Sequence, residues 1–68
     1  MRITVNGKPR EVEGEMPLPV FLTAHAINPR LVAVAINGEV IPRDRYGDAL
    51  VRDGDELEVV RMVGGGFR

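Results

Sequence analysis

The sequence predicts one small α+β domain, in which a mixed sheet of four or five strands has one short helix packed across it. Three features support this prediction: two Asn-Gly pairs that favour hairpins, one short proline-bracketed segment with helical character, and a final strand of alternating residues. With 68 residues the chain has the length of a single domain with a small core. We expect a folded domain over residues 1–63 and a flexible glycine-rich tail over residues 64–68.

A hairpin is predicted at the N-terminus. Ile3 and Val5 alternate with polar residues, which is the period of a half-buried strand. Asn6 and Gly7 both tolerate positive φ and favour a two-residue turn. The segment that follows returns as a second strand, and Pro9 is expected at a strand start or a sheet edge because it has no backbone N–H.

A helix of about two turns is predicted over residues 20–26. The residue before a proline is pushed out of the α region, so Met16 and Leu18 are expected to be extended. Pro19 suits the first helical position, where its missing N–H is not needed, and Asn28-Pro29 is expected to end the helix.

This helix has to pack on the sheet, because two isolated turns are not stable in water. Phe21 and Leu22 are its expected core contacts. Residues 31–36 are almost entirely apolar and rich in β-branched side chains, which predicts a central strand buried on both sides. Ala33 and Ala35 are small, and we expect the face they share to receive the helix.

The second half of the chain adds short elements. A second Asn-Gly pair leads into a strand over residues 39–41, and residues 43–48 predict a turn or one helical turn. Residues 49–51 return briefly to an extended form, and Asp53-Gly54-Asp55 predicts a tight turn. One mixed sheet with one helix across it is the economical packing of this order, the α+β roll known as the β-grasp or ubiquitin-like fold.

The last strand is predicted over residues 56–63. Leu57 and Val59 share the face expected to be in the core. The opposite face combines charged and apolar side chains close to the tail: Glu56, Glu58, Val60 and Met62. We expect Val60 and Met62 either to bind a partner or to be covered by a loop.

Composition excludes several classes of function. The chain has no cysteine and no serine, and its only imidazole is His25, so it cannot assemble a serine, cysteine or histidine-dyad hydrolase. Its net charge is −1 without a basic block, and no apolar run approaches the roughly 20 residues of a membrane span. We therefore expect no nucleic-acid partner, no membrane insertion and a cytoplasmic location.

Other polar residues predict structural or solvated roles. His25 near the helix end is expected to be structural, and Tyr46 to pack over the crossover. The acidic residues around the Asp-Gly-Asp turn lack the ligand spacing of a calcium loop, so we expect no metal site. The arginines either pair with an acidic partner surface or act as scattered solubilising charge; these are Arg43, Arg45, Arg52 and Arg61.

Three consecutive glycines, Gly64, Gly65 and Gly66, follow the last strand. A segment without side chains can enter a narrow channel in a partner and present its backbone there. The same composition is also typical of a frayed end or a linker. Composition alone leaves both interpretations open.

Three stretches of the sequence together resemble the ThiS family of sulfur carriers in thiamine biosynthesis. They are VAVAINGEVIPR over residues 32–43, LVRDGDELEVV over residues 50–60, and VGGG over residues 63–66, in addition to the opening ITVNG. Each motif alone is weak, whereas their order and spacing are fairly specific. The small subunit of molybdopterin synthase is a related alternative with the same fold and tail.

The resemblance implies that the carboxylate of Gly66 carries the chemistry, with Gly65 and Gly64 as its flexible approach. In the family, a ThiF-like adenylyltransferase uses ATP to adenylate this carboxylate, a sulfur donor enzyme converts it to a thiocarboxylate, and thiazole synthase accepts the sulfur. The carrier itself is then a protein co-substrate rather than an enzyme, and it binds no cofactor or metal.

The chain departs from the family pattern at its end, where Phe67 and Arg68 follow the glycines. While they remain, Gly66 has no free carboxylate. There are three explanations: a peptidase removes them, they are a dipeptide left by cloning, or the protein has lost carrier activity or uses a different pathway. A carrier serving molybdopterin or another metabolite, or a β-grasp interaction module without covalent chemistry, are the alternative functions.

Overall fold

A computed structural model describes residues 1–62. The strands are β1 (Arg2–Val5), β2 (Lys8–Glu11), β3 (Met16–Pro17), β4 (Val32–Ile36), β5 (Glu39–Val40), β6 (Leu50–Val51) and β7 (Glu56–Arg61). The α-helix α1 spans Leu18–Ala24, and two 3₁₀ helices span Pro29–Leu31 and Arg43–Asp48.

Five strands form a mixed sheet in the order β2-β1-β7-β4-β5, and β3 pairs with β6 in a separate two-stranded ribbon. β1 and β7 run parallel, whereas the other pairs in the sheet are antiparallel. The predicted β-grasp architecture, with one helix packed on a mixed sheet, is confirmed. None of the helices within residues 1–62 is long and apolar enough to cross a membrane.

Both predicted Asn-Gly turns are present. Asn6 and Asn37 have φ values of 52° and 53°, and the glycine after each is also in the left-handed region. Pro9 lies opposite Thr4 on β2, which is an edge strand as predicted, so its missing N–H disturbs no ladder in the interior of the sheet.

The helix begins earlier than predicted. Met16 is extended as expected, but Leu18 is the first helical residue, so the prediction of an extended Leu18 is wrong. The cause is a long-range contact: the Leu18 amide donates to the carbonyl of Ala49 at 2.8 Å, and the Leu18 side chain is fully buried. Pro17 is the extended N-cap and Pro19 lies within the first turn.

The helix also ends earlier than predicted, at Ala24. Ala26 has a φ of 60°, its amide donates to the Thr23 carbonyl, and the Ile27 amide donates to the Leu22 carbonyl. These bonds form a Schellman motif, in which a left-handed residue reverses the chain after a helix. Asn28 and Pro29 therefore begin a 3₁₀ helix rather than end the α-helix.

The interpretation of β4 is wrong about which of its faces receives the helix. Val32 and Val34 are buried on the helix side, whereas Ala33 and Ala35 are only half-buried on the opposite side, so the alanine face does not receive the helix. β4 does lie in the interior of the sheet as predicted, between β7 and β5, although β7 is the middle strand of the five. Both valines and alanines are apolar, so the sequence alone did not distinguish the two faces of this strand.

The division of β7 into two faces is confirmed. Leu57 is fully buried and Val59 half-buried, whereas Val60 and Met62 are 61% and 47% exposed. Within residues 1–62 no loop covers these two side chains, which contradicts the alternative of a covering loop. The strand ends at Arg61; Val63 and the predicted tail over residues 64–68 lie outside the described residues.

The core lies between the helix and the sheet. Tyr46, on the second 3₁₀ helix, closes it on one side, and its hydroxyl donates to the Val32 carbonyl at 3.0 Å, which confirms its predicted packing role. The buried side chains are Ile3, Leu18, Phe21, Leu22, Val32, Val34, Tyr46, Val51 and Leu57.

Replacement of Ala26 by glycine should stabilise the domain. Glycine adopts positive φ without the steric cost that a Cβ imposes, so we expect Ala26→Gly to raise the free energy of unfolding by about 0.5 to 1 kcal/mol. Ala24→Gly, a matched change at an exposed position of the same helix, should lower it by a similar amount. Urea denaturation measures both, and destabilisation by Ala26→Gly would contradict the Schellman assignment.

Candidate functional site

The site that the sequence predicts is the tail, and the structure describes the point from which it leaves the fold. We call this point, Arg61 and Met62, the tail root. Arg61 pairs with Val32 in the sheet, and the Met62 amide donates to the Leu31 carbonyl at 2.8 Å. The backbone is therefore held by the sheet as far as Met62, while Gly64, Gly65 and Gly66 lie outside the described residues.

Arg43 joins the tail root to two other segments. Its guanidinium donates to the carbonyl of Pro29 at 3.0 Å and to the carbonyl of Val32 at 3.3 Å, and it lies 3.9 Å from the Met62 sulfur. It also lies over the Tyr46 ring, 5.8 Å from the ring centroid. One planar cation thus connects the first 3₁₀ helix, the start of β4 and the end of β7.

Both hairpin asparagines also hold β7. The Asn6 side chain accepts from the Val59 amide at 2.8 Å and donates to the Val59 carbonyl at 3.2 Å, as a neighbouring strand would. The Asn37 side chain accepts from the Glu56 amide at 2.9 Å and donates to the Asp55 carboxylate at 3.0 Å. Each asparagine therefore forms a turn and fixes one part of the strand that precedes the tail.

The outer face of the sheet, which faces away from the helix, is apolar next to the tail root. Val60 pairs with Ala33, and Val40 pairs with Ala35, so these four side chains adjoin one another. They line a shallow depression of about 160 Å³, and Glu58 is the one charged residue among its described lining residues. Val40 is 70% exposed, and the two positions predicted to bind a partner, Val60 and Met62, extend this patch toward the tail.

The remaining polar candidates have structural partners. His25 caps the helix with Nδ1 3.0 Å from the Phe21 carbonyl, and its ring packs against the Phe21 ring. Asp53 accepts from the Arg2 amide and Asp55 from the Arg52 amide, so both carboxylates organise the turn before β7. Within residues 1–62, no group of three or more acidic or histidine side chains is arranged to hold a metal ion.

Comparison with known proteins decides the family. The model of the ThiS family matches residues 3–66, which is nearly the whole chain. The chain belongs to the ThiS family. The resemblance predicted from the sequence is therefore confirmed, and the match ends at the last of the three glycines.

Solved structures agree with this assignment. The crystal structure of the thiamine biosynthesis protein ThiS from Geobacter metallireducens superposes with a TM-score of 0.85 at 36% identity, covering 97% of this chain and all of that one. The sulfur carrier protein ThiS of Thermus thermophilus is 36% identical over 64 residues, which is 94% of this chain and 98% of that protein.

Longer relatives carry the same domain. A thiazole synthase of Paramagnetospirillum magneticum is 36% identical over 66 residues, which is 97% of this chain and 20% of that protein. The chain thus spans about a fifth of the length of the thiazole synthases it matches. Family membership, the ThiS structures and these thiazole synthases together support a sulfur-carrier role in thiamine biosynthesis.

From the sequence, Arg43 was predicted either to pair with an acidic partner surface or to act as solubilising charge. Its structural role at the tail root was not predicted. Its contacts lie 11 to 19 residues away along the chain, so no local pattern indicated that it holds the tail root. The only available signal was its place directly after Pro42, at the start of the crossover.

Loss of the Arg43 side chain should loosen the tail root. We expect Arg43→Ala to lower the free energy of unfolding by about 1 kcal/mol, because two charged hydrogen bonds are lost, and to speed hydrogen exchange of the Met62 amide. Arg45→Ala is the control, because Arg45 lies two residues along the same 3₁₀ helix and makes no such contacts within residues 1–62. Equal exchange at Met62 in the two variants, measured by NMR, would show that Arg43 does not hold the tail root.

Proposed function

We propose that this chain is a sulfur carrier for thiazole formation and that the Gly66 carboxylate is its reactive group. The observation that carries the proposal is that the match to the family continues past the last residue whose backbone is hydrogen-bonded to the sheet. The sheet holds the chain to Met62, and the match continues to Gly66. The four residues between can extend by about 13 to 14 Å, enough to place a carboxylate inside an enzyme while the folded domain stays outside.

The chemistry explains why an activating enzyme is needed. An α-carboxylate has a pKa of about 3.5 and is therefore an anion at neutral pH and a poor electrophile. Its attack on the α-phosphorus of ATP releases pyrophosphate and forms an acyl-adenylate, in which AMP is a good leaving group. A sulfur nucleophile then displaces AMP. Glycine leaves the carbonyl carbon open to that attack because it has no side chain.

The sequence continues with Phe67 and Arg68 beyond the matched glycines. In this proposal a peptidase hydrolyses the bond between Gly66 and Phe67, because the amide at that position has no free carboxylate oxygen to attack ATP. Trimming then becomes the step that makes the carrier competent for adenylation.

The partners proposed are a ThiF-like adenylyltransferase that uses ATP, a sulfur donor enzyme and thiazole synthase. The last is supported by relatives named thiazole synthase, whose polypeptides include a segment that matches 97% of this chain. We regard the domain as a co-substrate, with the acid, base and metal chemistry supplied by its partners. A cytoplasmic location stays a prediction of the sequence.

The outer apolar face is the proposed docking surface for the adenylyltransferase. Val60 is the next-to-last residue of β7 and Met62 directly follows the strand, while Val40 and the two alanines of β4 extend the patch across the sheet. An enzyme that receives the tail must approach the tail root, and the outer face lies next to the tail root. The enzyme can therefore contact this face while it holds the tail. Exposed valine and methionine side chains then lose water on binding.

The mass of the untagged protein from its native host tests the carrier chemistry. We expect a species that ends at Gly66, of which a fraction is 16 mass units heavier because one oxygen is replaced by sulfur. Deletion of Gly65 and Gly66 should abolish sulfur transfer and leave the fold intact. Retention of Phe67 and Arg68 on every molecule while the pathway is active would instead favour an interaction module, and sulfur delivery to a pterin would favour the molybdopterin alternative.

A charge on the outer face should impair adenylation without unfolding the domain. We expect Val60→Asp to raise the KM for the carrier in ATP–pyrophosphate exchange by about tenfold, because a carboxylate would be desolvated in an apolar contact. Val20→Asp is the matched control, since Val20 is 53% exposed on the helix. An equal KM for the two variants would rule out the outer face as the docking surface.

A further inference from the structure

A second surface adjoins the tail root on the helix side of the sheet. It is a groove of about 380 Å³ between the end of β7, the strand β2 and the segment after the helix. Its floor is largely apolar, with Ile27, Leu31 and Val59 among its lining residues. The outer face described above lies on the opposite side of the same strand, so the two surfaces are distinct.

The charge of this groove is of one sign. Among residues 1–62, Arg10 and Arg61 are the only charged residues that line it, and none of its described lining residues carries a carboxylate. Within residues 1–62 neither guanidinium forms an ion pair, because the one salt bridge there joins Arg2 to Glu11. A second hollow, beside the start of β7, carries mainly negative charge, because Glu39, Asp48 and Asp55 line it together with one arginine. The described residues of the groove thus place two guanidiniums without a carboxylate next to the tail root.

The groove also exposes a strand edge. β1 accompanies β7 only as far as the pairing of Val5 with Leu57, and the Asn6 side chain then occupies the backbone groups of Val59. Arg61 is the next residue whose backbone faces this edge, and no strand within residues 1–62 lies beside it. An extended segment of another protein can therefore continue the sheet at this position.

We propose that this groove binds an extended acidic segment of the adenylating enzyme, with Arg10 and Arg61 pairing with its carboxylates. The assignment rests on the proposed function, because it concerns the enzyme that receives the tail. Three features select a peptide: the apolar floor suits apolar side chains, the two guanidiniums suit neighbouring acidic ones, and the open edge of β7 suits an extended backbone. Contact on both sides of β7 would direct the tail into the active site.

The test measures the affinity of the 68-residue chain, and of the same chain ending at Gly66, for a purified ThiF-type adenylating enzyme by calorimetry. The variants are Arg10→Glu, Arg61→Glu and their combination. Arg52→Glu changes the charge by the same amount as each single variant and lies outside the groove, in the acidic hollow. Thermal unfolding of every variant confirms that the fold is retained.

We expect the double variant to weaken binding about tenfold or more, and Arg52→Glu to change it less than about twofold. The wild-type Kd should rise between 50 and 200 mM NaCl, and the double variant should lose most of this salt dependence. Replacement of both arginines by lysine should retain most of the affinity, because the charge is kept.

Equal binding by the double variant and Arg52→Glu would overturn the assignment while leaving the carrier function intact. Saturable shifts of the Arg61 amide resonance with inorganic phosphate or ATP alone, with enzyme affinity unchanged in the double variant, would overturn it in favour of a small-anion site. Failure of the wild-type chain ending at Gly66 either to bind or to be adenylated would overturn the proposed function, and the assignment with it.

Discussion

The pairing of β7 with both of its neighbours is the constraint on which the rest of the fold depends. β7 is parallel to β1 on one side and antiparallel to β4 on the other, so it joins the two hairpins of the described sheet. Leu57, the second residue of the strand, is fully buried in the core. The strand that completes the core is therefore the same strand that carries the tail, and the position of the tail root follows from the packing of the core.

Polar side chains also fix the position of β7 at both of its ends. Asn37 holds its start, Asn6 replaces a missing neighbour at Val59, and Arg43 reaches the last described residue from a separate crossover. These contacts place the apolar outer face and the arginine-lined groove on opposite sides of one fixed strand. The fold therefore fixes the position and direction of the backbone at Met62, the last residue that the structure describes.

Local patterns predicted the parts of the fold that local physics determines. The Asn-Gly turns, the two faces of β7 and the core roles of Phe21 and Leu22 follow from backbone preference and period, and all are confirmed. The early start of the helix was missed because it depends on a hydrogen bond from Leu18 to Ala49, far along the chain. The side of β4 that faces away from the helix was assigned wrongly because the alternating valines and alanines of this strand are all apolar.

The order of the strands also has a consequence for synthesis. A nascent chain that stops before residue 56 contains the β1–β2 and β4–β5 hairpins but not the strand that lies between them. The sheet can therefore close only after β7 has left the ribosome, and the pairs that β7 forms with β1 and β4 join residues that are distant in the sequence. If the proposed adenylating enzyme recognises the surfaces around the tail root, it acts only on molecules in which β7 has already joined the sheet.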